Sequence, residues 1–536
     1  MKTLISAIAL SLFLGCSDSS TGPHPTACTA DEQCGTDEVC FHDGCGSPER
    51  DLMVEVVPDA RAGLNAQDFA LTDFRSTQDL ELHPPAAIFG QVFRGGEPYT
   101  GKVTLKLLGG SELIPGRDRT YGGPLSLYRG DYAIATGTGL YTLTVLPADT
   151  AIPPTAVREV RIAPGQLLNV SINLPAAADL LQLTGTVTRV ANSSTRLDVP
   201  VEVQTVDPVT QRPLSQRVTI DPATGAFSLM TLRPEGQGFI GLQATPRETA
   251  SGSALVPRKL FTVPLKAVAP VLELGDFGKP VTVSGRLLGS DGSPIASATV
   301  YLEGQVSGGG FFTSARVTSD LDGKFSGLAT LPSDPLNPFT LWAVPSARSN
   351  SGVLRTAVKV TAAGGFLGEF SCPDRVPVQG QVKRPDGRDY AGVKVKAHAL
   401  SALEPGQSVS SLEVETTTDE NSAYTLHLDP GVWRLDYIAP EPMPRASREV
   451  TVRADVSSLG GNKILTVPPL QFSKGRTVIG TVTALPNAAA SLATKVPFAA
   501  VRYFRVATVN GHGTSELLAE IICDDQAGYS VSLPAR

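Results

Sequence analysis

The chain has 536 residues, 41% of them apolar and 18% charged, which is enough for several domains with ordinary hydrophobic cores. Its 45 Lys and Arg against 52 Asp and Glu leave a net charge of −7, without the basic clusters that neutralise phosphates, so no nucleic-acid partner is expected. Gly 52 and Pro 42 suit many turns between short strands and stay below the range of disordered or collagen-like chains.

In chain order, the first element is a targeting segment, residues 1–15. Lys2 is followed by an apolar run from Leu4 to Gly15, too short to span a bilayer as a helix, and the run ends at Cys16. The sequence "LFLGC" resembles a bacterial lipobox, in which signal peptidase II cleaves before a cysteine that carries a diacylglycerol. Gly15 fits that pattern, whereas Phe13 and Leu14 are bulkier than the commonest residues at their positions. The resemblance implies lipid on Cys16 and a membrane anchor. It also implies, because Ser17 rather than Asp follows, the outer membrane or cell surface of a Gram-negative bacterium. Residues 16–27 continue as a small, polar, Pro-containing stretch that reads as a flexible tether.

Residues 28–50 form a Cys-rich module with Cys28, Cys34, Cys40 and Cys45 at C-x5-C-x5-C-x4-C spacing. An exported chain meets an oxidising compartment, and a segment without a core needs cross-links, so these four are disulfide candidates. Three connectivities are open, and the interleaved one, Cys28 with Cys40 and Cys34 with Cys45, is preferred here. A zinc site using His42 is the rival reading, but zinc ligands usually come in tighter pairs. The module resembles, by spacing alone, short Cys-rich segments near the N-terminus of bacterial surface lipoproteins. Cys372 and Cys523 fall in different repeats and are not expected to pair.

Beyond the lead-in strands of 51–86, one short pattern recurs: "IFGQV", "LTGTV", "VSGRL", "VQGQV" and "VIGTV". Its glycines are Gly90, Gly185, Gly285, Gly380 and Gly480, separated by 95, 100, 95 and 100 residues. After each head comes a period-2 strand, then an aromatic strand at Tyr132, Phe227, Phe325, Tyr424 or Tyr529. In the first four units a further apolar strand and a Pro-containing exit follow, as in "FTLWAVP". Seven or so short strands per unit predict an all-β fold of tandem antiparallel β-sandwiches at 87–175, 183–275, 281–371, 376–470 and 477–536. The heads, "DGSPIASATV", and the "T-x-D-x-x-G-x-F" and "P-G-x-W" pieces resemble carboxypeptidase regulatory-like domains. That resemblance covers roughly residues 87–536, is clearest in the third and fourth units, and implies a transthyretin-like, prealbumin-type sandwich in an extracellular protein; it does not imply peptidase activity.

Candidate sites are few. The lone head glycines lack phosphate-loop spacing and read as bulges or close packing, and the repeated aromatics read as core rather than as sugar-stacking surfaces. Asp320 and Asp322 in "SDLDG" suit a polar turn better than a calcium loop, and the Arg129-Gly130-Asp131 tripeptide reads as a chance turn. The six histidines show no metal spacing, and no nucleophile motif is present. Catalytic residues, cofactors and metals are therefore not expected. The expected role is a lipid-anchored structural or adhesive stalk of sandwiches, each with its own core, engaging a glycan or an envelope protein. A carbohydrate-binding protein or an accessory subunit of an envelope enzyme or transport complex is the alternative.

The chain ends at the same phase of the repeat at which it begins. "AGYSVSLPAR" matches "SAYTLHLDPG" of the fourth unit, where another strand follows, and "LMVEVVP" near the start matches "FTLWAVP". The fifth unit is thus read as incomplete, which leaves permuted units, a shortened version of a longer repeat, or ring closure; the first and last-but-one of these are preferred over the ring.

Overall fold

The computed structural model describes residues 39–41, 44–46 and 52–534, apart from 72–76, 190–200, 222, 235–237, 250–251, 254, 267–268, 403–412, 441–442, 455–463, 474, 486–491 and 510–511. Regular structure among them is β-strand, with two short 3-10 turns at Ala60–Ala62 and Ala177–Asp179, and no described helix is long and apolar enough to cross a membrane.

Each unit is a sandwich of two sheets. In the first, Thr155–Ile162, Gly139–Pro147, Lys102–Gly110 and Asp118–Ser126 form an antiparallel sheet in that spatial order. The opposing sheet is centred on the head strand Ala86–Arg94, which pairs antiparallel with the aromatic strand Asp131–Thr136 and parallel with the exit strands Leu167–Asn169 and Ile172–Leu174. Alternating residues turn inward as the period-2 pattern requires, and Ile88, Leu105, Leu107, Leu143 and Val145 are fully buried.

The fifth unit is complete, but its strands come from both ends of the chain. Leu52–Val57 pairs antiparallel with Ala500–Val509 in a register that places Val54 opposite Tyr503 and Val56 opposite Val501. Gln67–Ala70 extends that sheet, and Leu80–Leu82 lies parallel to the head strand Gly475–Ala484. The lead-in strands of 51–86 are therefore the missing half of the unit read as incomplete at 477–536. This corrects the preference against ring closure. Leu52, Val54, Val56, Leu80 and Leu82 are at most 5% exposed, and burying each such side chain contributes about 1.5–3 kcal/mol.

All five junctions carry contacts, so the units form a closed circuit rather than the expected extended stalk. Gln216 of the second unit donates to the carbonyls of Pro147 and Ile152 of the first, at 2.8 and 2.7 Å. Arg258 and Phe311 join the second and third units by reciprocal backbone hydrogen bonds of 2.7 and 2.9 Å. Between the third and fourth, Arg375 is buried, donates to the carbonyls of Ser346, Ala347 and Ser349, and pairs with Asp429. The Arg445 amide donates to the Leu518 carbonyl, tying the fourth unit to the fifth at 2.7 Å. Ser515 of the fifth donates to the Pro115 carbonyl of the first at 2.7 Å.

The cores are less modular than expected. The first, fourth and fifth units each enclose a separate apolar cluster, but the second and third share one that runs from Leu183 through Leu274 and Phe277 to Val358 and Cys372. Gly275 and Gly308 let the two backbones approach closely enough at this junction for the clusters to merge.

Candidate functional site

Cys16, Cys28 and Cys34 lie outside the described residues, and with them the lipidation site and the interleaved disulfide pairing. Cys40 and Cys45 are backbone partners on a short hairpin, Val39–Phe41 with Gly44–Gly46. Cys372 and Cys523 are free and buried, and burial pushes both thiols up to about 11, which makes them poor nucleophiles.

The head glycine and the following aromatic, two separate signals in the sequence, are one contact in the structure. Gly90 is the direct cross-strand partner of Tyr132, Gly185 of Phe227, Gly285 of Phe325, Gly380 of Tyr424 and Gly480 of Tyr529. A Cβ on Gly285 would lie 2.5 Å from Phe325 Cζ, and one on Gly185 would lie 2.6 Å from Phe227 Cζ, so the ring occupies the space a side chain would need. The five rings are 1–6% exposed and belong to the cores, which removes them as sugar-stacking surfaces. In the first unit Tyr132 donates to the Val170 carbonyl at 2.6 Å, and in the fifth Tyr529 donates to the Gln78 carbonyl at the same distance. Val170 and Gln78 in turn donate backbone N–H to Phe89 and Ile479, each the residue before its head glycine. This identity of bonds marks residues 77–82 as the exit strand of the fifth unit.

Asp320 caps a turn, accepting from the amides of Asp322 at 3.0 Å and Lys324 at 2.8 Å. Asp419 and Asp524 do the same before Tyr424 and Tyr529, so the repeated Asp has a local structural role. Among the described residues no group of three or more His, Cys, Asp or Glu is placed to hold a metal. Arg129 and Gly130 are left-handed turn residues, and Asp131 accepts from the Gln91 side chain. His398 sits between Glu413 and Asp436 on the outside of the fourth unit. An open, mostly apolar groove of about 600 Å³ runs along the second unit, lined by Thr184, Thr186, Thr219, Ile220, Asp221 and Phe227.

The densest polar constellation lies where the ring closes, and it escaped sequence reading because its charges are scattered along the chain. Glu55, 2% exposed, accepts from Arg117 at 2.7 Å, Arg119 at 2.8 Å and Arg502 at 3.2 Å. Arg119 also grips Asp68 at 2.6 Å, and Arg502 grips Glu520 at 2.7 Å, which Arg445 of the fourth unit reaches at 3.1 Å. One chain of ion pairs thus crosses the whole fifth unit from the first to the fourth. Burial alone would raise the Glu55 carboxyl, but hydrogen bonds and charge from Arg119 and Arg117 outweigh it and hold it below the ordinary glutamate range. Arg119 is likewise held charged by Asp68 and Glu55 against the effect of its own burial. Arg117 also lies over the Phe504 ring at 5.6 Å.

No family model matches this chain, and no curated protein does. Among solved structures, a streptococcal ancillary pilin is 10% identical, with 54% of this chain and 99% of that one covered at a TM-score of 0.23. GBS52, a minor pilin of Streptococcus agalactiae, is 12% identical over 36% and 96% at a TM-score of 0.21. The Bacillus anthracis TIE protein is 10% identical over 73% and 72% at a TM-score of 0.16. At these values the likeness carries no activity, ligand or partner to this chain.

Proposed function

We propose that this protein is a lipid-anchored scaffold of the bacterial envelope, structural or adhesive in role, which holds a closed ring of five β-sandwiches away from the membrane and performs no catalysis of its own. One observation carries the reading. The segment that follows the lipobox-like "LFLGC" and the Cys-rich module enters the ring at Leu52, on the strand that closes it, so a tether at Cys16 would hold the ring by its seam. The resemblance of the units to carboxypeptidase regulatory-like domains and the Ser17 after the lipidated position favour an extracytoplasmic, outer-membrane or cell-surface setting. Palmitate labelling of the expressed protein tests the anchor: label lost in Cys16→Ser supports it, and label retained in that variant removes it.

A glycan array run alongside a pull-down from envelope extract separates a glycan from a protein as what the scaffold engages.

A further inference from the structure

The fifth unit is built from two stretches of chain whose contacts span about four hundred positions, as between Thr481 and Asp79 (402). The first stretch is tied to the first unit. The chain runs into that unit through His83, Pro84 and Pro85, and Glu55 and Asp68 are held by Arg117 and Arg119 of that unit. The second stretch is tied to the fourth unit through Arg445. What joins the two is therefore one interface: the Leu52–Val57 register on Ala500–Val509 and the Leu80–Leu82 register on the fifth head strand.

Such an interface is heterologous. It closes a ring when the five junctions curve through a full turn, and it makes an open chain when it is satisfied by a neighbour. Without its donor strands, Ala500–Val509 is an unpaired sheet edge, which is a template for an extended segment of matching alternation. The fifth unit is also expected to fold late. Its donor strands emerge first and wait for some four hundred residues, on the order of a minute at roughly 5–20 residues per second, and among the described residues its contacts have the greatest sequence separation.

We propose that the acceptor edge of the fifth unit also takes the strands Leu52–Val57, Gln67–Ala70 and Leu80–Leu82 of a second copy, so that the protein assembles head to tail through the same bonds that close the ring. Every hydrogen bond and ion pair of the seam is preserved in the exchanged form, because the donor carries Arg117 and Arg119 with it and the acceptor supplies Arg502. The choice between ring and chain is then set by protein concentration against the effective concentration of the tethered strand.

The test uses the full chain. Unfolded protein is refolded at two concentrations about a hundredfold apart and sized by light scattering. The share of dimers and larger species is expected to rise with concentration, and residues 52–57 and 500–509 are expected to resist amide exchange as strongly in them as in the monomer. An unchanged monomer share, or oligomers with an unprotected seam, overturns the proposal. Two variants sharpen it. Val54→Asp with Leu80→Asp spoils the donor, and Gly480→Val spoils the acceptor by driving a side chain into the Gln78 carbonyl. Each is expected to be monomeric alone, and the two refolded together are expected to give a dimer with one exchanged seam. Oligomers from either alone, or no dimer from the mixture, would show association through another face or none.

Discussion

Glu55 and Arg502 are 447 positions apart in the sequence and 3.2 Å apart in the structure. Their strands are directly paired, with Glu55 opposite Arg502 in the register, so the ion pair sits on the seam that turns a string of sandwiches into a ring. The carboxylate lies on the sheet face opposite the core residues Val54 and Val56, buried among three guanidinium groups, and the unit it belongs to is completed by strands from both stretches of the chain.

Glu55→Ala removes the common acceptor of Arg117, Arg119 and Arg502, while Arg119 keeps Asp68 and Arg502 keeps Glu520. Losing hydrogen bonds to a charged group typically costs about 1.5–3 kcal/mol. The loss is expected as faster amide exchange in 52–57 and 500–509, with the second, third and fourth units unchanged. Uniform exchange across all units would contradict a seam-specific role.

The seam is expected to weaken in acid. Glu55 and Glu520 are held below the ordinary glutamate value of 4.5 in the folded protein, so each contributes stability that is present above that value and lost as pH falls through the lowered one. Asp68 and the cations Arg117, Arg119, Arg445 and Arg502 face the same cluster. Denaturant midpoints of the fifth unit should fall between neutral pH and pH of about 3, and Glu55→Gln should flatten that dependence while lowering stability at neutral pH.

Gly285→Ala is expected to destabilise the third unit by about 1–3 kcal/mol through overpacking against Phe325. Phe325→Ala opens a cavity that costs about 3–5 kcal/mol. The two residues share one space, so the double variant should lose less than the sum of the singles in urea titrations. Strict additivity would mean that the ring and the glycine are not in contact.

Arg375→Ala unlatches the junction of the third and fourth units, since its guanidinium holds four carbonyls and Asp429 with no exposed side-chain surface. Leaving these groups unpaired should cost about 3 kcal/mol or more. Small-angle scattering is expected to report a wider spread of ring shapes, with both sandwiches still folded by circular dichroism.

The second and third units should unfold as one cooperative block because their buried side chains form one cluster. Limited proteolysis during a denaturant ramp is expected to release them together and to separate them from the fourth unit. Independent release would contradict a shared core.

Fold class was legible because its signals are local. Alternating polarity, turn residues and five head glycines at near-constant spacing require only neighbours in the chain, and the structure places a strand at each head. The likeness of "LMVEVVP" to a later strand was also visible, since Leu52–Val57 carries the same alternation as the inner strands of the other units. What the pattern alone did not decide was the partner of that strand. An open sheet edge offers the same row of N–H and C=O groups wherever it lies, and the choice falls to side chains far away in sequence.

Those side chains are where the tertiary structure had the last word. Glu55, Asp68, Arg117, Arg119, Arg502 and Glu520 look like solvated strand faces one at a time, and only their convergence makes them a clasp. The pairing of Gly480 with Tyr529 likewise follows from strand register and not from composition. Periodicity is written into each segment by the geometry of a pleated strand. Closure of the ring and merging of two cores depend on junction contacts among Gln216, Arg258, Arg375 and Arg445, which belong to no repeating pattern.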